Sequence, residues 1–187
     1  MCFDRVAQKH VNNASIGGLI PVLTQIPRKR KQTIADKLCR LSTRFGIPSQ
    51  DPGSSEFERY RYWRGPIWLI INYMICDGLM DEDHHELSQR ICETSIDLIK
   101  TSGFAEYYDP IDGLACGGQS FSWTAAIVLE FIDKMHEPCS YRSGLKPQNI
   151  DYSSPFKSRS LPRYRQLKAE HEDISVVFCE ASVSLTR

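Results

Sequence analysis

The chain has 187 residues, 23 basic and 23 acidic side chains, no formal net charge and 41% hydrophobic residues. That is the size of one ordinary domain, or of a section of a larger one, with enough apolar material for a packed core. The balanced charge excludes a strongly basic nucleic-acid binder or a polycationic membrane-surface protein. The longest apolar run, "PIWLIINYMI" over 66–75, is too short to cross a bilayer.

The opening stretch "MCFDRVAQKHVNNASIGG" has charges but no apolar h-region, so no signal peptide is expected and the cytoplasm is the favoured compartment. The sequon Asn13-Ala14-Ser15 matters only for a secreted chain. "PRKRK" over 27–31 reads as a solvated helix start rather than a nuclear signal.

Ile34, Leu38, Leu41 and Phe45 recur at steps of four, three and four, which predicts an amphipathic helix ending at Gly46 and Pro48. The Pro-, Gly- and Ser-rich stretch over 46–64 predicts a long loop, of a length more often functional than idle. "GPIWLIINYMICDGL" (65–79) is apolar nearly all round, which predicts a helix buried on most sides with Pro66 in its first turn. "DHHELSQRICETSIDLIKTSG" (83–103) places Leu87, Ile91, Ser95 and Leu98 on one face, with Asp83 as N-cap and Gly103 as terminator. "SFSWTAAIVLEFIDK" (120–134) is again apolar all round.

Amphipathic and apolar helices thus alternate, as in an outer and an inner ring of a double-ring α/α barrel or a helical solenoid. Both inner helices follow long polar loops, so both loops open at one end. From about His136 the chain is rich in Pro, Ser, Lys and Arg and predicts a linker or disordered tail. Within that tail "ISVVFCEASVSL" (174–185) could form a strand.

The seven cysteines, at 2, 39, 76, 92, 116, 139 and 179, form no C-x-x-C pair and are odd in number. Cys76 and Cys92 read as small buried hydrophobes, and no disulfide or zinc framework is expected. "DEDHHE" over 81–86 reads as acidic residues favoured at a helix start rather than a metal site.

The two loops hold the residues that could do chemistry. Tyr62, Trp63, Trp68, Tyr107 and Trp123 offer aromatic faces of the kind that pack on pyranose rings. Arg64 and Glu106 offer charged groups, with Asp51, Asp109 and Gln119 as further polar residues. From spacing alone a sugar cleft competes with a structural reading in which the tryptophans fill gaps between helices and the charges cap them.

Three segments carry a resemblance: "SIGGLIP" (15–21), "YRYWRGPIWLIINYMICDGL" (60–79) and "GFAEYYDPIDGLACGGQSFSWTAAIVLEFI" (103–132). In order and spacing they resemble the C-terminal part of the mannosylglycerate and glucosylglycerate hydrolases of glycoside hydrolase family 63, trehalase-like six-hairpin glycosidases. The likeness covers roughly residues 12–135. It implies an all-α fold, a partial (α/α)6 barrel of about the last four helices over 1–135, with an irregular tail over 136–187. It also implies an inverting α-glycosidase with Glu106 as general base. Tyr62, Trp63, Arg64 and Gly65 would line the pocket of the cleaved sugar, with Trp68, Tyr107 and Gln119 also contacting substrate and Trp123 packed beneath. No metal and no cofactor are implied.

The expected partners are a small glycoside or oligosaccharide and the missing N-terminal part of the barrel, with neither nucleic acid nor membrane. The family's general acid lies upstream of the matched segments. The chain is therefore expected to be a fragment that holds the base without the acid and is inactive alone. The competing expectations are an inactive remnant that binds carbohydrate or a protein, and a helical scaffold without a ligand.

Overall fold

The computed structural model describes residues 2–11, 14–81 and 83–136. The described residues all belong to one compact unit, Met1–Ser140. The sequence-predicted strand over 174–185 and most of the tail lie outside them.

A short hairpin, β1 (Cys2–Asp4) and β2 (Lys9–Val11), is followed by two 3-10 turns over Ile16–Gly18 and Ile20–Leu23. Then come α1 (Arg28–Leu41), α2 (Leu69–Gly78), α3 (His85–Ser102), a second antiparallel hairpin of β3 (Ala105–Tyr108) and β4 (Ala115–Gln119), and α4 (Ser122–His136). The described part is mostly helical, and the four predicted helices are all present.

Their ends differ from the sequence expectation for local reasons. Helix α1 starts before its apolar face, at Arg28, and stops at Leu41 instead of Phe45. The Ser42 backbone N–H and hydroxyl both donate to the Leu38 carbonyl, and Thr43 and Gly46 then close a turn that carries Phe45 out of the helix. Basic residues in a first turn oppose the helix dipole, but here Arg28 pairs with Asp83 and Lys31 with Asp81 at 2.6 Å.

Asp83 is thereby used up, and it is not the N-cap of α3. His84 occupies that position, and its backbone N–H donates to Asp81 Oδ1 at 3.0 Å. Gly103 ends α3 as expected, with φ of 74°, a region where a residue without Cβ fits best.

Helix α2 begins at Leu69 and not at Pro66, because residues 66–67 are extended and paired on both sides. Ser49 N–H donates to the Pro66 carbonyl at 2.9 Å, and Ile67 exchanges two backbone hydrogen bonds with Tyr108, at 2.8 and 3.0 Å. Isolated bridges thus run Ser15–Gln50, Pro48–Ile67 and Ile67–Tyr108, and β3 continues them into β4. This ladder, not a helix, gathers the long loop and the second hairpin at one place.

The core is formed by Leu38 and Leu41 of α1, Leu69 and Ile75 of α2, Ile91, Leu98 and Ile99 of α3, and Val128, Phe131 and Ile132 of α4. Burial of α2 and α4 on every side is not found among the described residues. Ile70, Ile71 and Met74 of α2 are half-buried, and Trp123, Ala126 and Leu129 of α4 are exposed. The buried Lys134 of α4 finds its partner on α2, with Nζ 2.6 Å from Asp77 Oδ1.

Cys76 and Cys92 are buried as expected, but they are joined as a disulfide between α2 and α3, which the sequence did not lead us to expect. They lie 16 residues apart on two neighbouring helices, a pairing that no C-x-x-C count detects. Cys39 and Cys116 are free. No helix among the described residues is long and apolar enough to cross a membrane.

Candidate active site

The acidic–aromatic segment over 104–113 is not a plain loop. Its first half is strand β3, and Glu106 stands where the pairing with β4 is irregular, between Ala105 and Tyr107. A bulge re-aims a side chain away from the ladder, and here it turns Glu106 towards two donors. Tyr62 Oη donates to Glu106 Oε1 at 2.9 Å, and the Gly118 backbone N–H donates to Oε2 at 3.2 Å. Gly117, at φ of 72°, clears the space: a Cβ there would lie 2.6 Å from Glu106 Oε2. Hydrogen bonding to Glu106, helped by desolvation, raises the Tyr62 pKa above its ordinary value.

The aromatic residues named from the sequence form one cluster with a single exception. Trp63 stacks on Trp68, centroids 4.6 Å apart and planes at 15°. Tyr62 meets Trp68 edge-on at 4.5 Å, and Tyr107 completes the group at 5.1 Å from Trp68 and 5.6 Å from Tyr62. Trp68 is buried and its indole N–H donates to the Tyr62 carbonyl at 2.8 Å, which fixes the floor. Trp63 and Tyr62 keep about half their surface in solvent, 49% and 47%. The result is a rigid aromatic shelf with a carboxylate at its edge. The exception is Trp123, which is 69% exposed on the first turn of α4 with Phe121 at 5.9 Å.

The polar residues divide differently. Arg64 is engaged within its own loop: it donates to the Glu56 carbonyl at 3.1 Å and to Glu56 Oε2 at 2.6 Å, and lies 2.9 Å from Glu58 Oε1. It shapes the loop from within. Gly65 does the same by its smallness, since a Cβ would fall 2.3 Å from the Glu58 carbonyl oxygen. Gln119 is exposed on β4 opposite Ala105. Asp51 is spent on its own turn, accepting from the Gly53 N–H at 2.8 Å. Asp109 is buried and bound by Arg59, which also holds Asp112. Sequence reasoning missed Arg59. Arginines 59, 61 and 64 look equivalent in "ERYRYWR", and only the fold sends the first across to the hairpin.

One group among the described residues has the spacing of metal ligands: atoms of Asp81, Asp83 and His84 lie within 4.8 Å of one another. Lys31 and Arg28 already neutralise the two carboxylates. Asp81 is partly buried, which opposes its charge, but hydrogen bonds from Lys31 and His84 hold its pKa below the ordinary aspartate value. These contacts tie α1 to the start of α3, well accounted for without an ion.

Known proteins share both the sequence and the fold of these segments. Residues 1–124 match the model of the mannosylglycerate hydrolase MGH1-like glycoside hydrolase domain. The chain is 39% identical over 136 residues to mannosylglycerate hydrolase MGH1 of Selaginella moellendorffii, covering 71% of this chain and 28% of that one. It is 36% identical over 130 residues to the mannosylglycerate hydrolase of Thermus thermophilus, covering 68% and 31%. Among solved structures it superposes on a GH63 mannosylglycerate hydrolase of Thermus thermophilus in complex with glucose. The TM-score is 0.62 and the identity 34%, over 68% of this chain and 34% of that one. The same enzyme has also been solved with Tris and D-glycerate. The chain spans about a third of the length of these relatives. Bulged carboxylate, aromatic shelf and sequence likeness fall on the same two loops, and the chain belongs to the mannosylglycerate hydrolase MGH1-like glycoside hydrolase family.

Proposed function

We propose that this chain carries the general-base side of an inverting α-glycoside hydrolase acting on a small α-glucoside or α-mannoside such as glucosylglycerate or mannosylglycerate. The observation that carries the reading is Glu106, held at both carboxylate oxygens beside the half-exposed Trp63–Trp68 shelf. An inverting enzyme needs a carboxylate to draw a proton from a water that attacks on the face opposite the leaving group. A second carboxyl, about 6.5–9.5 Å away, protonates the glycosidic oxygen. Glu106 takes the first role, and the shelf holds the ring of the sugar being cleaved.

The second carboxyl belongs, on this proposal, to the N-terminal part of the family fold. Residues 1–135 are its C-terminal section, the last helices of an (α/α)6 barrel, and residues 136–187 are a tail outside it. The partial length of the match supports this division of labour. The half-buried apolar stripe of α2 and the exposed Trp123 of α4 are surfaces on which the remaining helices would pack. The pocket above Trp123 would then be completed by them, and Arg64 would act by shaping the shelf. No step requires a metal or cofactor.

The exposed rings also favour a second reading, a carbohydrate-binding section without turnover. One experiment separates the two. The chain is combined with the N-terminal two thirds of a relative, and release of mannose or glucose from the corresponding glycerate glycoside is measured. Glu106→Gln should lower turnover by about 10²–10⁴-fold, the usual contribution of a general base, while glycan binding is retained. Wild-type turnover in that variant removes Glu106 from the base role. Saturable glycan binding by the chain alone, lost in Trp63→Ala and never accompanied by turnover in the assembled protein, establishes the second reading.

A further inference from the structure

Arg59 stands three residues before Tyr62, yet its guanidinium reaches the other site segment. Its Nε donates to Asp109 Oδ2 and its Nη2 to Asp112 Oδ2. The Asp109 side chain is completely buried, and its second oxygen accepts from the Ile111 N–H at 2.9 Å. The Asp109 backbone closes the same turn, donating to the Leu114 carbonyl at 2.9 Å and accepting from Gly113 N–H at 3.0 Å. The Asp109 carboxylate is thus held by Arg59, by the turn itself and by the Tyr60 phenol.

A planar guanidinium can hold two carboxylates in a fixed fork, which an ammonium cannot. Burial opposes the charge on Arg59, but the hydrogen bonds to Asp112 and Asp109 outweigh it and raise its pKa. Asp109 is buried while Arg59 keeps a third of its side chain in solvent, so the pair contributes little net stability compared with apolar packing, and its planar fork constrains geometry.

Asp109 lies three residues beyond Glu106, and Tyr62 three residues beyond Arg59. The contacts form a closed circuit. It runs from Arg59 to Asp109, back along β3 to Glu106, across to Tyr62 by the 2.9 Å hydrogen bond, and home along the loop. Trp68 braces the Tyr62 side through its indole N–H at 2.8 Å. We infer that Arg59 is a positioning residue: by pinning the turn after β3 to the loop over 46–64 it sets the registry of Tyr62 against Glu106, and with it the direction in which the base points. The functional meaning rests on Glu106 being the base, but the registry itself can be read without turnover.

The test uses the full 187-residue chain labelled with nitrogen-15 and, at tyrosine, with carbon-13, comparing it with Arg59→Met and Arg59→Lys. The readouts are hydrogen exchange of the Trp68 indole N–H and the ring resonances of Tyr62. Arg59→Met should speed exchange roughly tenfold, the effect of losing one hydrogen bond of ordinary net strength, and should shift the Tyr62 ring signals. Arg59→Lys should restore only part of the protection, since it returns the charge without the fork. Wild-type indole exchange and Tyr62 resonances in Arg59→Met, with nothing but a lower melting temperature, would reduce Arg59 to an ordinary ion pair and overturn the inference. Should Arg59→Met fail to fold, Arg59→Met/Asp109→Asn removes the stranded charge, and unchanged protection there overturns it equally. A Glu106→Gln variant with full turnover in the assembled enzyme would sink the base role while leaving this result untouched.

Discussion

Two regions of this molecule are held together by different physics. In the helical layer, Leu38, Ile75, Leu98 and Phe131 are buried without a directional contact between them. In the loop layer over 46–66 and 104–121, buried Ile47 and Phe104 and the aromatic shelf are joined by many hydrogen bonds and ion pairs between distant segments. Asn72 accepts from Ile47 N–H and donates to the Ile47 carbonyl, both at 2.9 Å. Tyr108 Oη donates to Gly103 and accepts from Ala105 N–H, at 2.6 and 3.1 Å. Arg59 spans to the hairpin. Apolar burial scales with area and tolerates small shifts, whereas a hydrogen bond fails within a fraction of an ångström. The molecule puts stability in the first region and the aim of Glu106 in the second.

That contrast can be broken from the helical side first. Phe131→Ala, in the fully buried part of α4, should cost about 3–5 kcal/mol through lost transfer energy and a cavity. Urea unfolding followed by far-UV circular dichroism would show it as a lower midpoint. A loss under about 1 kcal/mol, well short of a core truncation, would mean that α4 is not part of the core.

Asn72→Ala attacks the joint between the regions, since this side chain sits on α2 but bonds only backbone. Leaving the buried Ile47 groups unpaired should cost about 1–3 kcal/mol. Amide exchange should quicken at Ile47 well before it quickens in α3. Uniform acceleration would deny the two-region picture.

Gly117→Ala acts on the loop layer alone. It strains a left-handed backbone and pushes a methyl against Glu106, at about 1 kcal/mol of stability. With Glu106 displaced, the Tyr62 phenol should ionise nearer its ordinary value, a drop visible in ultraviolet titration against Tyr62→Phe. An unchanged Tyr62 titration would show that the glycine leaves Glu106 free to adjust.

The smallest effect concerns pH. Asp81 has a folded pKa below 3.8, so its contribution is present above that value and is lost as pH falls through the lowered one. With a third of the side chain exposed, the pair with Lys31 is worth less than about 1 kcal/mol. Asp81→Asn should lower stability at neutral pH by less than about 1 kcal/mol and flatten the acid limb below about pH 4, where variant and wild type converge. An acid limb identical to wild type would assign that slope to other carboxylates.

The helices were legible because burial imposes a period: Leu87, Ile91, Ser95 and Leu98 are all buried on α3 as their spacing required. Gly103 closed that helix for a reason visible in one residue, its freedom at positive φ. Glu106, Tyr62, Trp63, Trp68 and Tyr107 lie in long motifs that join uncommon residues, and the fold brings their side chains together. Tertiary structure alone decided the rest. The Ile67–Tyr108 pairing shortened α2, and contact between α2 and α3 joined Cys76 to Cys92. Which of three neighbouring arginines would cross to Asp109 was settled only by the fold. Periodicity reports what a segment does along its own axis. Partners 12 to 57 residues away along the chain depend on how separate segments meet, and no local pattern of side chains encodes that meeting.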